Sequence, residues 1–537
     1  MKYIVLKWPS ALEMYEVLKI ADHIGFKPGV GYIYRLNLLK CASLDSDELE
    51  RILRDFGVFL EERELRAIES LRGYDALISL EGTDLVLEFK DSSVVKDLIG
   101  RLIVREPRHG TLRAAPGDFW RLFRELRRRG LRVKVDFETN FELSLNLRPS
   151  FKLRDYQLRA YLRWKRAGGR GVIVLPVATG KTLVGIKAIE DLRLKTLVLV
   201  PTIDLLHQWA SSLSRWLGIS RSLVGIFGGG VKEIKEITVM TYDSARLNLE
   251  LIADKFGLII ADECHHAVSP SYRVVFKASL APYRMGLTAT PFRSDALHKL
   301  YPEVIGNIVY EEEASRLQAE GYLASHEERR IYVRLSPEEY EEYLRLMRKY
   351  MDYCRRVIPE IQDPKERFKR VLKLALKDPE AREALRARHR ARQIALSAER
   401  KIKIVEKLLR EYSDEKVLIF SRYTDIIREL ARRYFIPRIL HDTPKDERRA
   451  ILEMFKRGEI TKLATAMALD EGVDVPDASV AIVISGTGSN REYLQRLGRI
   501  LRPKRKKAIF IELITKGTVD YHLFRRRRRR EIFEERA

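Results

Sequence analysis

Short runs of almost wholly apolar residues alternate with longer amphipathic stretches in two parts of this 537-residue chain. Between 153 and 310 the runs fall at 172–175, 196–200, 237–240 and 258–261. Runs without polar alternation are what parallel strands require when helices cover both faces of their sheet. A second set, at 417–420, 463–465, 480–484 and 508–511, predicts a second lobe of the same kind. The expected fold class is therefore α/β, with two parallel-sheet lobes.

Ahead of the lobes, 76–80 and 85–89 read as a hairpin around the turn-forming Glu81-Gly82-Thr83-Asp84. Phe119, Leu122, Phe123 and Leu126 then make a helical apolar stripe that Gly130 stops, with Arg121, Arg124 and Arg128 on another face. Solvation and DNA contact account equally for those arginines. Ser336-Pro337-Glu338-Glu339 is a strong helix start, and Asp363-Pro364 and Asp378-Pro379 are two more, so 336–400 is expected to be a helical insertion. Tyr340, Tyr343, Tyr350 and Tyr353 have helical spacing there, which favours packing over base stacking. The expected divisions are 1–70, with no catalytic signature and an open role; 71–148, a small α+β module; 149–310, the first lobe; and 311–537, the second lobe with its insertion.

Charge adds a partner class. Lys and Arg total 100 against 76 Asp and Glu, a net charge of +24, which favours a polyanion by attraction and counterion release. Cys41, Cys264 and Cys354 are far apart, giving neither a CxxC pair nor a disulfide framework and suiting a reducing cytoplasm. No apolar stretch reaches a membrane-spanning length, so a soluble, cytoplasmic protein without a membrane partner is expected. Scarce Asn and Gln amid abundant Arg, Glu and Lys suggest a hot-growing source, with composition drift as the alternative.

The candidate chemistry sits at strand ends. The 172–175 run leads through Val177-Ala178-Thr179-Gly180 into Lys181-Thr182 and a helix. Backbone N–H groups of such a loop can cradle the phosphates of ATP, Lys181 neutralises them, and Thr182 can ligate Mg²⁺. Ala178 stands where loops of this type usually have glycine; a negative φ is expected there, since a positive one would cost the methyl group about 1–2 kcal/mol. The 258–261 run delivers Asp262 and Glu263 to the end of a sheet where ligands bind, Asp262 for Mg²⁺ and Glu263 for the attacking water. His265 is placed to couple this site to its surroundings. Cys264, His265 and His266 are adjacent and lack a suitably spaced fourth ligand, which argues against zinc. Far downstream, Gln495, Arg499 and Arg502 lie in a run whose two arginines share a helix face and can serve as arginine fingers.

In this order the signatures resemble a superfamily 2 helicase motor, and within it the archaeal XPB family, over about 71 to 537. Leu153-Arg154-Asp155-Tyr156-Gln157 is similar to the adenine-side motif, Gly286-Leu287-Thr288-Ala289-Thr290-Pro291 to motif III, and Asp470-Glu471-Gly472-Val473-Asp474-Val475-Pro476 to motif V. The resemblance implies two RecA-like lobes, adenine contacts at Arg154 and Gln157, a ribose contact at Asp474, and coupling through Thr288, Ala289 and Thr290. It implies DNA contacts at Thr202, Thr241, Arg293, Asp295, Arg422 and Thr465. It also implies a damage-recognition role for 71–148, a DNA-gripping thumb at 336–400, and double-stranded, forked or damaged DNA as partner, with a nuclease as a second. One departure is Arg293-Ser294-Asp295, where the family's Arg-Glu-Asp loop has a central carboxylate; ATP-driven translocation is expected to survive it, while unwinding is put in question.

The reading is thus an ATP-dependent DNA helicase or translocase, 3′ to 5′ by resemblance, acting in excision repair and promoter opening. An RNA helicase or restriction-system motor would reuse the same residues. A non-catalytic DNA-binding scaffold for a nuclease is the alternative from another class.

Overall fold

Four sheets organise the chain in a computed structural model that describes residues 2–105, 112–293, 295–323, 326–421, 423–466, 478–485 and 508–525. By internal contacts it divides into two units, 1–174 with 182–311, and 312–537 with 175–181.

The first unit opens with an antiparallel sheet in the order β1-β3-β2, from β1 (Tyr3–Leu6), β2 (Ala21–Lys27) and β3 (Gly31–Leu36). Helices α1 (Ala11–Ile20), α2 (Leu38–Ala42), α3 (Ser46–Asp55) and α4 (Glu62–Leu71) share its core, where Val17, Ile20, Ile52 and Ile68 are buried. Gly31 starts β3 with φ +120°, and a Cβ there would lie 2.4 Å from the Leu6 carbonyl oxygen, so no other residue fits.

A second, five-stranded sheet has the order β6-β7-β5-β4-β8. Its strands are β4 (Ala76–Glu81), β5 (Asp84–Phe89), β6 (Val104–Arg105), β7 (Leu112–Ala114) and β8 (Val133–Asp136), and β4 and β5 form the expected hairpin. Helix α5 (Phe119–Arg128) buries Phe119, Leu122 and Leu126 and leaves Arg121, Arg124 and Arg128 exposed. Buried Asn37 links the first sheet to this one, its amide donating to the Phe89 carbonyl at 3.0 Å.

The third sheet is the first lobe, in the order β12-β11-β13-β10-β14-β15-β9-β16. It comprises β9 (Arg170–Val174), β10 (Thr196–Val200), β11 (Val224–Gly228), β12 (Val231–Lys232), β13 (Ile237–Thr241), β14 (Leu258–Asp262), β15 (Tyr283–Thr288) and β16 (Ile308–Glu311). All neighbours are parallel except β11 and β12. Helices α6 (Asp155–Arg166), α7 (Lys181–Leu192), α8 (Ile203–Leu217), α9 (Tyr242–Leu247), α10 (Arg273–Lys277) and α11 (Tyr301–Val304) accompany it. The central strands are buried along their length, as their apolar runs dictate.

The second sheet is fastened to this lobe. The Trp120 indole donates to the Leu280 carbonyl at 2.7 Å, and Gly117 lies so close to Phe276 that a Cβ would come 2.5 Å from its carbonyl oxygen. Beside them the buried Arg284 guanidinium donates to the carbonyls of Phe276, Val304 and Ser279.

The second unit runs through α12 (Ala314–Ala319) into an all-parallel sheet ordered β17-β22-β21-β18-β20-β19. Its strands are β17 (His326–Val333), β18 (Val417–Ser421), β19 (Arg438–Ile439), β20 (Lys462–Ala466), β21 (Val480–Val483) and β22 (Ala508–Thr515). Between β17 and β18 come α13 (Pro337–Val357), α14 (Pro364–Leu374), α15 (Pro379–Leu396) and α16 (Glu399–Glu411). Ser336 caps α13 in a capping box with Glu339, as its sequence requires. Tyr343, Tyr350 and Tyr353 are buried between these helices, while Tyr340 is 42% exposed. Packing is therefore what three of the four tyrosines do. The two parallel sheets make the fold α/β with two RecA-like lobes.

Candidate nucleotide and DNA site

The parallel order β14-β15-β9 sets three carboxyl ends side by side in the first lobe. β9 feeds the loop 175–180, and α7 begins at Lys181. The loop folds back on itself: the Thr179 hydroxyl donates to the Pro176 carbonyl at 2.6 Å, and the Lys181 ammonium points at the Leu175 carbonyl at 3.5 Å. Gly180 has φ +73° and Ala178 has φ +63°. The expectation of a negative φ at Ala178 is therefore wrong. Reversal over so few residues uses two left-handed positions, one on either side of Thr179, and the alanine pays sterically for one of them.

Asp262 ends β14 and is buried. Its Oδ2 accepts from the Trp209 indole at 2.7 Å and its Oδ1 from the Glu263 N–H at 3.0 Å, while the Tyr242 hydroxyl donates to its carbonyl at 2.9 Å. Trp209, on α8, is a site residue that reading the sequence missed. It reaches Asp262 across 53 residues, and Gly185 on α7 leaves room for it, since a Cβ there would lie 2.9 Å from the ring. Glu263 takes φ +46°, a second strained position in the site.

β14 and β15 are joined by side chains at their ends. His265 Nδ1 lies 3.4 Å from the Thr288 hydroxyl and 3.5 Å from Glu263 Oε2. Thr290 donates its N–H to the Thr288 hydroxyl at 3.1 Å, with Ala289 between them in the chain. Arg293 donates to the His265 carbonyl at 2.6 Å, and both of its fork nitrogens hold Asp295, at 3.0 and 2.7 Å. That guanidinium lowers the Asp295 carboxyl to about 2. Burial pushes the Cys264 thiol well up, so it stays protonated at neutral pH.

The remaining expected residues are distributed as follows. Arg154 is the N-cap of α6 and its N–H donates to Gln157 Oε1 at 2.9 Å, so the two stand together. Thr202 and Thr241 cap α8 and α9 with their hydroxyls, at the ends of the adjacent strands β10 and β13. Thr465 is fully buried in β20 with its hydroxyl against the Ala466 carbonyl. Val177 and Thr182 flank the loop turn. Ser294, Arg422, Asp474, Gln495, Arg499 and Arg502 lie outside the described residues.

Residues 150–293 match the family model described as "Type III restriction enzyme, res subunit", and 400–504 match "Helicase conserved C-terminal domain". A "DNA 3'-5' translocase XPB2" of Sulfurisphaera tokodaii is 42% identical over 409 residues, 76% of this chain and 92% of that one. A "DNA 3'-5' helicase XPB" of Mycobacterium tuberculosis is 32% identical over 69% of this chain and 62% of that one. The "General transcription and DNA repair factor IIH helicase/translocase subunit XPB" of Enterocytozoon bieneusi is 28% identical over 71% of this chain and 61% of that one. This chain thus spans less than two thirds of the length of the last two. An ordered pair of helicase lobes, and an identity of 42% across nearly the whole of an XPB translocase, place the chain in the XPB family of superfamily 2 DNA helicases.

Proposed function

We infer that this protein is an ATP-driven 3′ to 5′ DNA translocase and helicase that remodels DNA in excision repair and in transcription initiation. The observation that carries this is the order β14-β15-β9, in which Asp262 and Glu263 at the end of β14 meet Thr288 at the end of β15 through His265, and β15 in turn pairs with β9, the strand that leads into Gly180-Lys181-Thr182. Bound ATP supplies the phosphoryl group and Mg²⁺ neutralises its charge. The residue types fit that pair: a carboxylate, Asp262, stands at the carboxyl end of β14, and the loop ending in Gly180-Lys181-Thr182 follows β9 in the same sheet.

In this reading Lys181 binds the phosphates, Thr182 and Asp262 hold the metal, and Glu263 orients the attacking water and takes its proton. His265 touches both Glu263 and Thr288, so a change at the water is felt at the end of β15. Arg499 and Arg502 are the candidate arginine fingers, with Gln495 in the same run, Arg154 and Gln157 take the adenine, and Asp474 the ribose. Thr202, Thr241, Arg293, Asp295 and Arg422 follow the DNA, with 71–148 reading its damage and 336–400 gripping it. A nuclease partner rests on family resemblance alone, and co-purification from the source cells tests it.

Lys181→Ala is expected to abolish DNA-stimulated ATPase while DNA affinity stays within about twofold, because the lysine neutralises nucleotide phosphate and not DNA. Unchanged ATPase in that variant rules out the motor. Stimulation by RNA duplexes and not by DNA shifts the substrate to RNA.

A further inference from the structure

We propose that the second lobe carries a separate phosphate-backbone site for duplex DNA, in the concavity between β17 and α16 at the root of the helical insertion. The proposal rests on the motor reading for its ligand, and on the second unit's own geometry for its place. Tyr332, Arg334, Arg400, Lys403 and Lys407 line a concavity of about 400 Å³, with Val333 and Ile404 also in its wall. Lys516 adds a fifth cation, 4.8 Å from the centre of the Tyr332 ring. Arg334, Arg400, Lys403, Lys407 and Lys516 are all exposed, and Tyr332 is 44% exposed.

The cations are not there to balance the helix that bears them. The carboxylates of α16 are engaged elsewhere: Glu399 with Arg433, Glu406 with Arg410 and Glu411 with Arg329. Among the described residues no carboxylate lies within ion-pair distance of Arg334, Arg400, Lys403, Lys407 or Lys516. Glu338 feels Arg400 only weakly, its carboxyl being lowered first by Ser336. Positive charge is thus concentrated on one side of a helix whose other face is buried through Ile402, Val405 and Leu408.

Spacing selects the ligand. Arg400, Lys403 and Lys407 follow one another at three and four residues, so they line up along about 10 Å of helix. Phosphates of one strand of duplex DNA recur every 3.4 Å along its axis, so that row faces about three of them. An added β-strand is the rival occupant of a sheet edge, and β17 is the edge of its sheet. Its consecutive charges Glu327, Glu328, Arg329 and Arg330 are the kind of device that blocks such pairing. The site also stands where the chain enters and leaves the insertion, Arg334 two residues before the Ser336 cap and Arg400 four after the end of α15. DNA held there is held at the base of the thumb-like element.

The test is the salt dependence of duplex affinity for the full chain carrying Lys403→Gln and Lys407→Gln, followed by fluorescence anisotropy without ATP. Loss of two phosphate contacts lowers the slope of log K against log[salt] by about 1.8, about 0.9 for each. The wild-type and variant affinities then converge as salt approaches 1 M. Arg54→Gln with Arg66→Gln, which removes the same charge from exposed helix positions of the N-terminal region, is expected to leave the slope within about 0.3 of wild type. An unchanged slope for the lysine pair, with wild-type unfolding, overturns the site, as does an equal loss in the arginine control. Loss of polyglutamate binding with an unmoved DNA slope also overturns it, in favour of an acidic polypeptide. Because the slope is read without nucleotide, it decides this site whichever way the Lys181→Ala experiment decides the motor.

Discussion

Ala178 holds a left-handed conformation that costs a residue with a Cβ about 1–2 kcal/mol. Replacing it with glycine removes that strain but adds about 0.4–1 kcal/mol of unfolded-state entropy to be lost. The strain outweighs the entropy, so Ala178→Gly is expected to stabilise the chain by roughly 0.5–1 kcal/mol, read as a higher midpoint in denaturant unfolding; a lower midpoint would show that the loop bears no such strain. The Trp209 indole is the other residue whose effect outruns its visibility in sequence. Its N–H bonds a buried carboxylate, an interaction worth about 1.5–3 kcal/mol. Trp209→Phe keeps an aromatic ring and drops the donor, so DNA-stimulated kcat is expected to fall roughly tenfold or more with little change in DNA affinity. The identity of Lys181, Thr182, Asp262 and Glu263 as candidates is legible from their neighbours in the chain. The φ of Ala178 and the Trp209 bond are not, because one is set by loop closure and the other by packing across 53 residues.

Elements show the same division between what a run of residues dictates and what its surroundings decide. The strands of both lobes are legible because burial on two faces writes itself as an unbroken apolar run, as in Leu258–Asp262 and Val417–Ser421. The N-terminal strands leave no such mark. β1 has only four residues, and β2 carries Asp22 and His23 and shifts register between His23 and Gly25. Helix α16 hides a different device. Its Lys401 is fully buried, donating to the Ile484 carbonyl at 2.6 Å and to Asp520 at 2.8 Å, and Asp520 also accepts the Thr515 N–H at 2.8 Å. Lys401→Met removes one partner and leaves the carboxylate buried without its cation, a change that costs about 3–5 kcal/mol. Chemical unfolding of the second lobe should show a loss of that size, and a loss under about 1 kcal/mol would mean that Asp520 finds another donor.

For the whole molecule, the net charge of +24 makes affinity for DNA a strong function of salt. Each phosphate neutralised contributes about 0.9 to the slope of log K against log[salt], so a footprint of six to ten contacts predicts a slope of roughly −5 to −9. A flat response in titrations from 50 to 200 mM salt would make the basic surface irrelevant to DNA. The attachment of the second sheet to the first lobe has a mechanical corollary. Trp120 anchors on Leu280, Gly117 admits no side chain against Phe276, and Arg284 ties three carbonyls in the same seam. A joint of that kind transmits load without a hinge. A load applied to the 71–148 sheet is therefore freight that the first lobe carries directly.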